Sequence, residues 1–422
     1  MIDPQSSSTS AEMKAASEGH VPGFDEAWYL ARYPDVAEAV ARGDFGSGLD
    51  HYRHHGRQER RTPQNKEFVP PHPEFVSCQF LESSLLFCND RLRACCIPLP
   101  NGKGNVTLCE YSGGPLPIDN IKASRNELRR LNNTPGADSP CEGCHYLKNA
   151  EWTNTHLVQS FVIGHYAICN LRCTYCDVSD YSHDELKRNA VAPYSVTEPI
   201  RELIGANLLA PQATACWAGG EPTMFKEFEE TMSVFAQHGV PLTLMTNCTR
   251  DSDAVKKGLA ARSVCILCSV DAGTSETYRR IKGRGKIEDV WRVLKGYAEI
   301  FPEGVVAKYI VKDENCSNEE IDRFVEDAAT AGLCGIVISR DVKEYNGPMP
   351  RPETAPLRAR LVAAMARMAF QARKRGLLVQ FSMDVFSEAE KDRIRLELLR
   401  LALAAGEADF DFDIPVCQTG RF

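Results

Sequence analysis

No run of the 422-residue chain approaches the ~18 consecutive apolar residues that a membrane-spanning helix requires, so no membrane partner is expected. The first 22 residues, rich in Ser, Ala, Glu and Lys, also lack the apolar core of a secretory signal. They read as a disordered leader, and the expected location is cytoplasmic. Positive charge is not in excess: 49 Lys and Arg stand against 57 Asp and Glu, a formal net charge of −8. Such a surface repels phosphate backbones and argues against a nucleic-acid partner. With 43% hydrophobic and 25% charged residues, the chain is of globular composition and long enough for two or three folding units.

Cysteine is not scarce. Of 17 cysteines, ten lie between Cys78 and Cys176 and seven are scattered beyond. In a reducing compartment such thiols serve as metal ligands or small buried hydrophobes rather than as disulfides. Cys216, Cys265, Cys268, Cys316 and Cys334 read as the latter.

The pattern changes along the chain. Residues 23–61 read as a small helical module anchored by Trp28, Tyr29, Leu30, Tyr33, Val36 and Val40, with Pro34 opening a helix that Gly43 closes. His51, His54 and His55 within it read as a solvated face rather than a metal patch. The stretch FDEAWYLARYPDVAEAVARGDFGSGLDHYRHHGRQERR resembles a small helical module attached to bacterial glycosyltransferases and other surface-polysaccharide proteins. Residues 62–76, with four prolines from Pro63 to Pro73, form a linker. A cysteine-rich segment at 77–150 offers strand-like runs at Phe80–Phe87 and Leu92–Ile97 and a helix around Arg125–Leu131. Its own apolar material is thin, and a metal cluster would supply the missing stability.

From 151 to 345, apolar strand-like runs near 158–167, 213–218, 241–247, 263–271, 304–311 and 335–340 alternate with helical stretches. This is the pattern of parallel strands joined by crossover helices. Six repeats suit an open, partial (β/α)6 barrel with its active site at the carboxyl ends of the strands. Residues 346–422 read as a helical extension and tail, two long helices around a strand-like Leu377–Phe381 that pad the barrel's side.

Directly after the first of these strands stands Cys169-Asn-Leu-Arg-Cys173-Thr-Tyr-Cys176, a C-x3-C-x2-C spacing. A 4Fe–4S cluster ordinarily takes four cysteines, so three on one loop leave an iron open, as catalytic metal sites do. An open iron can chelate the amino and carboxylate groups of S-adenosylmethionine (AdoMet) and pass one electron into its sulfonium bond. The competing reading is a zinc knuckle. The motif and its surroundings, from His156 to Lys343, resemble the radical SAM superfamily, which implies that barrel, one 4Fe–4S cluster and AdoMet. The resemblance places Tyr175 next to the adenine.

Gly219-Gly220-Glu221-Pro222 matches that family's GGEP turn, whose backbone and carboxylate are implied to receive the AdoMet ammonium. Thr246-Asn247 resembles the family's TNG-type strand end, with Cys248 in place of glycine. Ser269 and Asp271 are two apart on a strand, so both are expected on one face. The resemblance to the family's SVD-type strand end implies a place near the ribose and methionine carboxylate, with a solvated strand end as the alternative. Lys308 on the next strand is a candidate partner for that carboxylate, because a lysine inside an apolar barrel needs one.

Cys141-Glu-Gly-Cys144 is a C-x2-C half-site for zinc or iron–sulfur binding. With Cys78, the Leu85–Cys96 run and Gly104-Asn105 it resembles the SPASM/twitch auxiliary-cluster domains, although those usually follow the barrel. The resemblance implies a second 4Fe–4S cluster on Cys78, Cys96, Cys141 and Cys144, with Cys95 competing for the Cys-Cys step. A structural zinc and uncoordinated thiols are the alternatives.

The expected activity is reductive AdoMet cleavage to a 5′-deoxyadenosyl radical, with a flavodoxin- or ferredoxin-type electron donor. The auxiliary segment points to a ribosomally made peptide as substrate, modified by net oxidation. The helical module points instead to a carbohydrate, a sugar or surface-glycan precursor. A non-catalytic iron–sulfur or zinc scaffold has no use for the GGEP turn.

Overall fold

A computed structural model describes residues 24–59, 61, 68–69, 72–95, 106–153, 156–176, 194–341, 357–382 and 386–407, with the backbone of 416–417. The expected leader at 1–22, most of the linker and Gly104-Asn105 lie outside the described residues. The chain divides into two compact units: Met1–Val69 with Asp119–Arg130, and Pro70–Ile118 with Leu131–Phe422.

The first unit contains helices α1 (Glu26–Arg32), α2 (Pro34–Arg42) and α3 (Gly48–His51). Pro34 opens α2 and Gly43, at φ 82°, closes it. This is the arrangement the sequence implied: proline costs nothing where no helical N–H bond is due, and glycine enters the left-handed region freely. Glu26 accepts the N–H groups of Gly48 and Leu49 at 2.6 and 2.9 Å, satisfying the start of α3. Tyr29 is the centre of an aromatic core, with Phe24 and Tyr33 ring centroids 4.9 and 4.8 Å away. His51 departs from the expected solvated face. It is buried, and its Nδ1 lies 3.1 Å from the Tyr29 hydroxyl, while His54 and His55 are exposed.

In the second unit, β1 (Glu74–Ser77) pairs antiparallel with β5 (Lys148–Glu151). Among the described residues the main sheet has eleven strands in the order β13-β12-β11-β10-β9-β8-β7-β6-β2-β3-β4. The six expected strands form its centre: β6 (Val158–Ile163), β7 (Leu209–Trp217), β8 (Leu242–Thr246), β9 (Val264–Ser269), β10 (Val305–Val311) and β11 (Gly335–Arg340). All are parallel to their neighbours. The connecting helices include α6 (Thr197–Gly205), α7 (Phe228–Gln237), α8 (Asp253–Ala260), α9 (Ser275–Lys282), α10 (Ile287–Ala298) and α11 (Asn318–Thr330), after α4 (Gln79–Ser83); α5 (Ile118–Asn132) belongs almost entirely to the first unit. Side chains of Ser252, Thr274 and Ser317 cap α8, α9 and α11 by accepting backbone N–H bonds. Every residue of β11 is buried, as expected of a strand covered on both faces.

The sheet extends past both ends of the expected barrel. β12 (Leu378–Ser382), between α12 (Ala359–Lys374) and α13 (Glu388–Ala404), pairs in parallel with β11. The expected padding therefore continues the sheet instead, because Val379 and Phe381 are buried apolar residues at strand spacing. β13 (Val416–Cys417) follows in parallel, with Cys417 opposite Ser382. At the other end, β2 (Ser84–Phe87) pairs in parallel with β6, and β3 (Arg91–Arg93) and β4 (Thr107–Glu110) extend it antiparallel. The cysteine-rich segment is thus built onto the edge of the same sheet. Among the described residues no helix is long and apolar enough to cross a membrane.

Candidate functional site

The loop leaving β6 carries the three motif cysteines, all half-buried. Leu171 is buried beneath it, and the Arg172 guanidinium donates to the carbonyls of Cys169 and Leu171 at 2.9 Å each, which curls the loop. Cys169 Sγ accepts from the Leu171 N–H at 3.4 Å and from the Asn247 side-chain amide at 3.6 Å. Burial pushes the Cys169 thiol up to about 11. Burial raises Cys173 too, against the opposing pull of the Lys282 ammonium. Without a bound cation these sulfurs stay protonated, and a metal would take them as thiolates. Among the described residues no three His, Cys, Asp or Glu side chains converge on one point that could hold a single metal ion.

The Gly219-Gly220 turn lies against the chain leading into this loop. Gly220 and Glu221 donate their N–H groups to the carbonyls of Tyr166 and Ile168 at 2.6 and 2.8 Å. A Cβ on Gly219, at φ 105°, would stand 2.7 Å from the Tyr166 carbonyl, and one on Gly220 would stand 2.2 Å from that of Ile168. The two glycines are therefore required first by this close approach of two backbones. Gly219 itself is exposed, so its backbone is open to a ligand.

The Glu221 carboxylate is placed differently from the expectation that it faces the AdoMet ammonium. It is buried and accepts from Thr246 Oγ1 and Thr223 Oγ1 at 2.8 and 2.7 Å and from the Asn247 N–H at 2.8 Å. These donors hold it from inside the protein, because a buried carboxylate must find donors, and Oε2 has the Asn247 N–H alone among them. Pro222 opens a short turn, Pro222–Met224, behind it. Asn247 links the turn to the cluster loop: its amide also donates to Asn170 Oδ1 at 2.8 Å. Cys248 stands at φ 51°, the left-handed region that glycine enters without strain.

Ser269 and Asp271 do not share a face. β9 ends at Ser269, and Asp271 has φ 59°, so the strand alternation on which the expectation rested stops short of it. Asp271 is fully buried and holds Lys282 Nζ at 2.5 Å, the Tyr175 hydroxyl at 2.5 Å and the Ile310 N–H at 2.6 Å. Tyr175 accordingly turns its hydroxyl inward. Ser269 is opposite Lys308 across β9 and β10, and both are half-buried.

Lys282, 1% exposed, carries no expectation from the sequence, where it stands among Arg279, Arg280 and Arg284 as if on a solvated helix end. The missed signal is its spacing, four residues after buried Tyr278 and next to buried Ile281. Burial pulls its ammonium down, but Asp271 beside it holds it above the ordinary lysine value.

In the cysteine-rich segment, Cys78, Cys95, Cys141 and Cys144 line one small pocket with Phe80 and Tyr146. Cys96 lies outside the described residues. Burial, reinforced by the neighbouring thiols, pushes Cys78 up to about 11 and Cys141 up to about 12. The pocket thus brings four cysteines of the segment together, the number of thiolates that a fully ligated 4Fe–4S cluster takes.

Residues 163–328 match the model of the Radical SAM superfamily. The chain carries a radical SAM domain. GTP 3′,8-cyclase of Mannheimia succiniciproducens is 29% identical over 161 residues, 37% of this chain and 46% of the relative. Mycofactocin maturase MftC of Mycobacterium tuberculosis is 27% identical over 165 residues, 39% of this chain and 40% of the relative. The match thus spans less than half the length of either. Among solved structures, Streptococcus suis SuiB bound to S-adenosylmethionine aligns with a TM-score of 0.42 at 14% identity, over 61% of this chain and 54% of that one. The matched stretch begins at Ile163, the last residue of β6, and so takes in the cysteine loop, the GGEP turn and the ends of β8, β9 and β10.

Proposed function

We propose that this chain is a radical SAM enzyme that holds a 4Fe–4S cluster on Cys169, Cys173 and Cys176 and abstracts hydrogen from a C–H bond of a ribosomally made peptide. The observation that carries the reading is the three-thiol loop at the carboxyl end of β6, packed on the glycine turn and bonded by Asn247. When bound, the cluster would chelate AdoMet at its open iron and supply the electron that releases methionine and a 5′-deoxyadenosyl radical.

The chain's own residues supply placement. Asn247 and the Leu171 N–H hold the Cys169 sulfur, and the exposed Gly219 backbone offers polar groups to the AdoMet ammonium. Ser269 and Lys308, side by side on β9 and β10, offer a hydroxyl and an ammonium to the ribose and the methionine carboxylate. Glu221 acts one step back, by orienting Asn247.

We assign the second site to Cys78, Cys95, Cys141 and Cys144, the four cysteines that line one pocket. Four thiolates leave no open iron, so this cluster would accept an electron from the substrate rather than bind it. Net two-electron oxidation follows, with AdoMet consumed. That chemistry and the likeness to a maturase support a peptide substrate. The helical module at 24–61 favours a second reading, a sugar or surface-glycan precursor.

Anaerobically reconstituted protein, reduced with dithionite, should release 5′-deoxyadenosine from AdoMet. Replacing Cys169, Cys173 or Cys176 by Ala should abolish that release. No release from iron-loaded protein would return the chain to a binding scaffold. Deuterium appearing in 5′-deoxyadenosine from a labelled precursor peptide, and not from a labelled sugar nucleotide, would decide the substrate.

A further inference from the structure

Behind the cysteine loop lies a buried charge pair. Lys282 and Asp271 are 1% and 0% exposed, and their side chains meet at 2.5 Å. Tyr175, which stands between Cys173 and Cys176, completes the group: its hydroxyl donates to Asp271 at 2.5 Å and accepts from Lys282 Nζ at 2.6 Å. The end of the same helix also grips the loop by its backbone. Arg172 donates its N–H to the Lys282 carbonyl at 2.8 Å, and Thr174 donates to that of Ile281 at 2.9 Å. Gly283 permits this approach, since a Cβ there would stand 2.9 Å from the Arg172 carbonyl.

A buried ion pair contributes little to stability, because desolvation cancels most of the attraction. Its position suggests another use. One-electron reduction adds a unit of negative charge to a cluster, and at low local dielectric a nearby cation favours the reduced state while an anion opposes it. A second cation near the Tyr175 ring, Lys312, has counterions of its own in Asp341 at 3.1 Å and Glu314 at 3.5 Å. Lys282 and Asp271 are thus the paired buried charges that touch Tyr175 between Cys173 and Cys176, while the Arg172 guanidinium on the loop is bonded to the carbonyls of Cys169 and Leu171.

We propose that Lys282 and Asp271 are positioning residues that hold the cluster loop through Tyr175, and that their balanced charges set the reduction potential of the cluster bound there. The inference rests on the reading of Cys169, Cys173 and Cys176 as cluster ligands. Lys282→Met leaves Asp271 uncompensated and lowers the potential. Asp271→Asn leaves Lys282 uncompensated and raises it. A purely structural role would instead make both variants fail in the same way.

The test uses the full chain, reconstituted anaerobically with iron and sulfide and titrated with dithionite or Ti(III) citrate. The EPR signal that responds to AdoMet reports the midpoint potential. Shifts of opposite sign in the two variants are the expected result. Shifts of the same sign, or potentials equal to the wild type, overturn the proposal. Should either variant fail to load iron, the charge-conserving Lys282→Arg decides: iron loading with a near-wild-type potential supports the proposal, and a failed rescue overturns it. Failure of the wild type itself to bind a cluster with an AdoMet-responsive signal would overturn the underlying reading instead.

Discussion

The Glu221 carboxylate accepts the backbone N–H of Asn247 at 2.8 Å, and this bond ties the turn after β7 to the end of β8. Glu221→Ala would strand the Asn247 N–H and the Thr246 hydroxyl, at a cost of about 1–3 kcal/mol for each buried donor left unpaired. Thermal unfolding of the metal-free protein should show that loss. Glu221→Gln, which keeps one acceptor oxygen, should show a smaller one. Equal stability of the alanine variant and the wild type would refute the role of Glu221 as a strut.

Gly220 leaves no room for a side chain. Gly220→Ala would place a methyl carbon against the Ile168 carbonyl, one residue before Cys169. Because backbone cannot yield as a flexible side chain does, the loop must shift. Reduced iron loading at the Cys169 loop, measured on reconstituted protein, is the expected outcome, with iron at the Cys78 pocket retained.

The strands were legible because apolar runs bounded by polar helices leave few alternatives: β11 was expected at 335–340 and forms at Gly335–Arg340. The loop that carries Cys169, Cys173 and Cys176 was expected directly after the first of these strands and leaves β6 there. What escaped was the direction of individual polar side chains. Asp271 looked like a strand residue, but a single positive φ turned it from the expected face. Glu221 looked ligand-facing, but its partners Thr246 and Asn247 arrive from 25 and 26 residues away. Lys282 was hidden among neighbouring arginines, since net polarity masks one buried position. Pairing of β2 with β6 is equally non-local, and no short-range pattern encodes it.

Two adjacent cysteines now have different expected fates. Cys95→Ala should lower the iron content of fully reconstituted protein from about eight to about four atoms per chain, the content of one 4Fe–4S cluster. Cys96→Ala should leave it unchanged. Iron analysis with Mössbauer spectroscopy distinguishes the two, and equal losses would remove Cys95 as the specific fourth ligand.

His165 is fully buried between Tyr194 and Phe225, and neither ring nitrogen has a hydrogen-bond partner among the described residues. Burial alone lowers its pKa to about 4. Between that value and the ordinary one near 6.5, only the unfolded chain takes up the proton. Stability is therefore complete above about pH 6.5 and falls as the pH drops toward 4, by about 3 kcal/mol in total. Urea unfolding at pH 7.5 and 5 should show this loss in the wild type. His165→Phe should show a shallower slope, and identical slopes would exclude His165 as its source.

The placement of β2, β3 and β4 on the edge of the sheet has a practical consequence. β6 is an interior strand only while β2 covers it. A version of the protein trimmed to residues 151–422, however natural that cut looks from the motifs, would expose the bare hydrogen-bonding edge of Val158–Ile163. Unpaired strand edges recruit other chains. Such a fragment should self-associate, and the N-terminal strands thereby act as a chaperoning cover for the strand that leads into the cysteine loop.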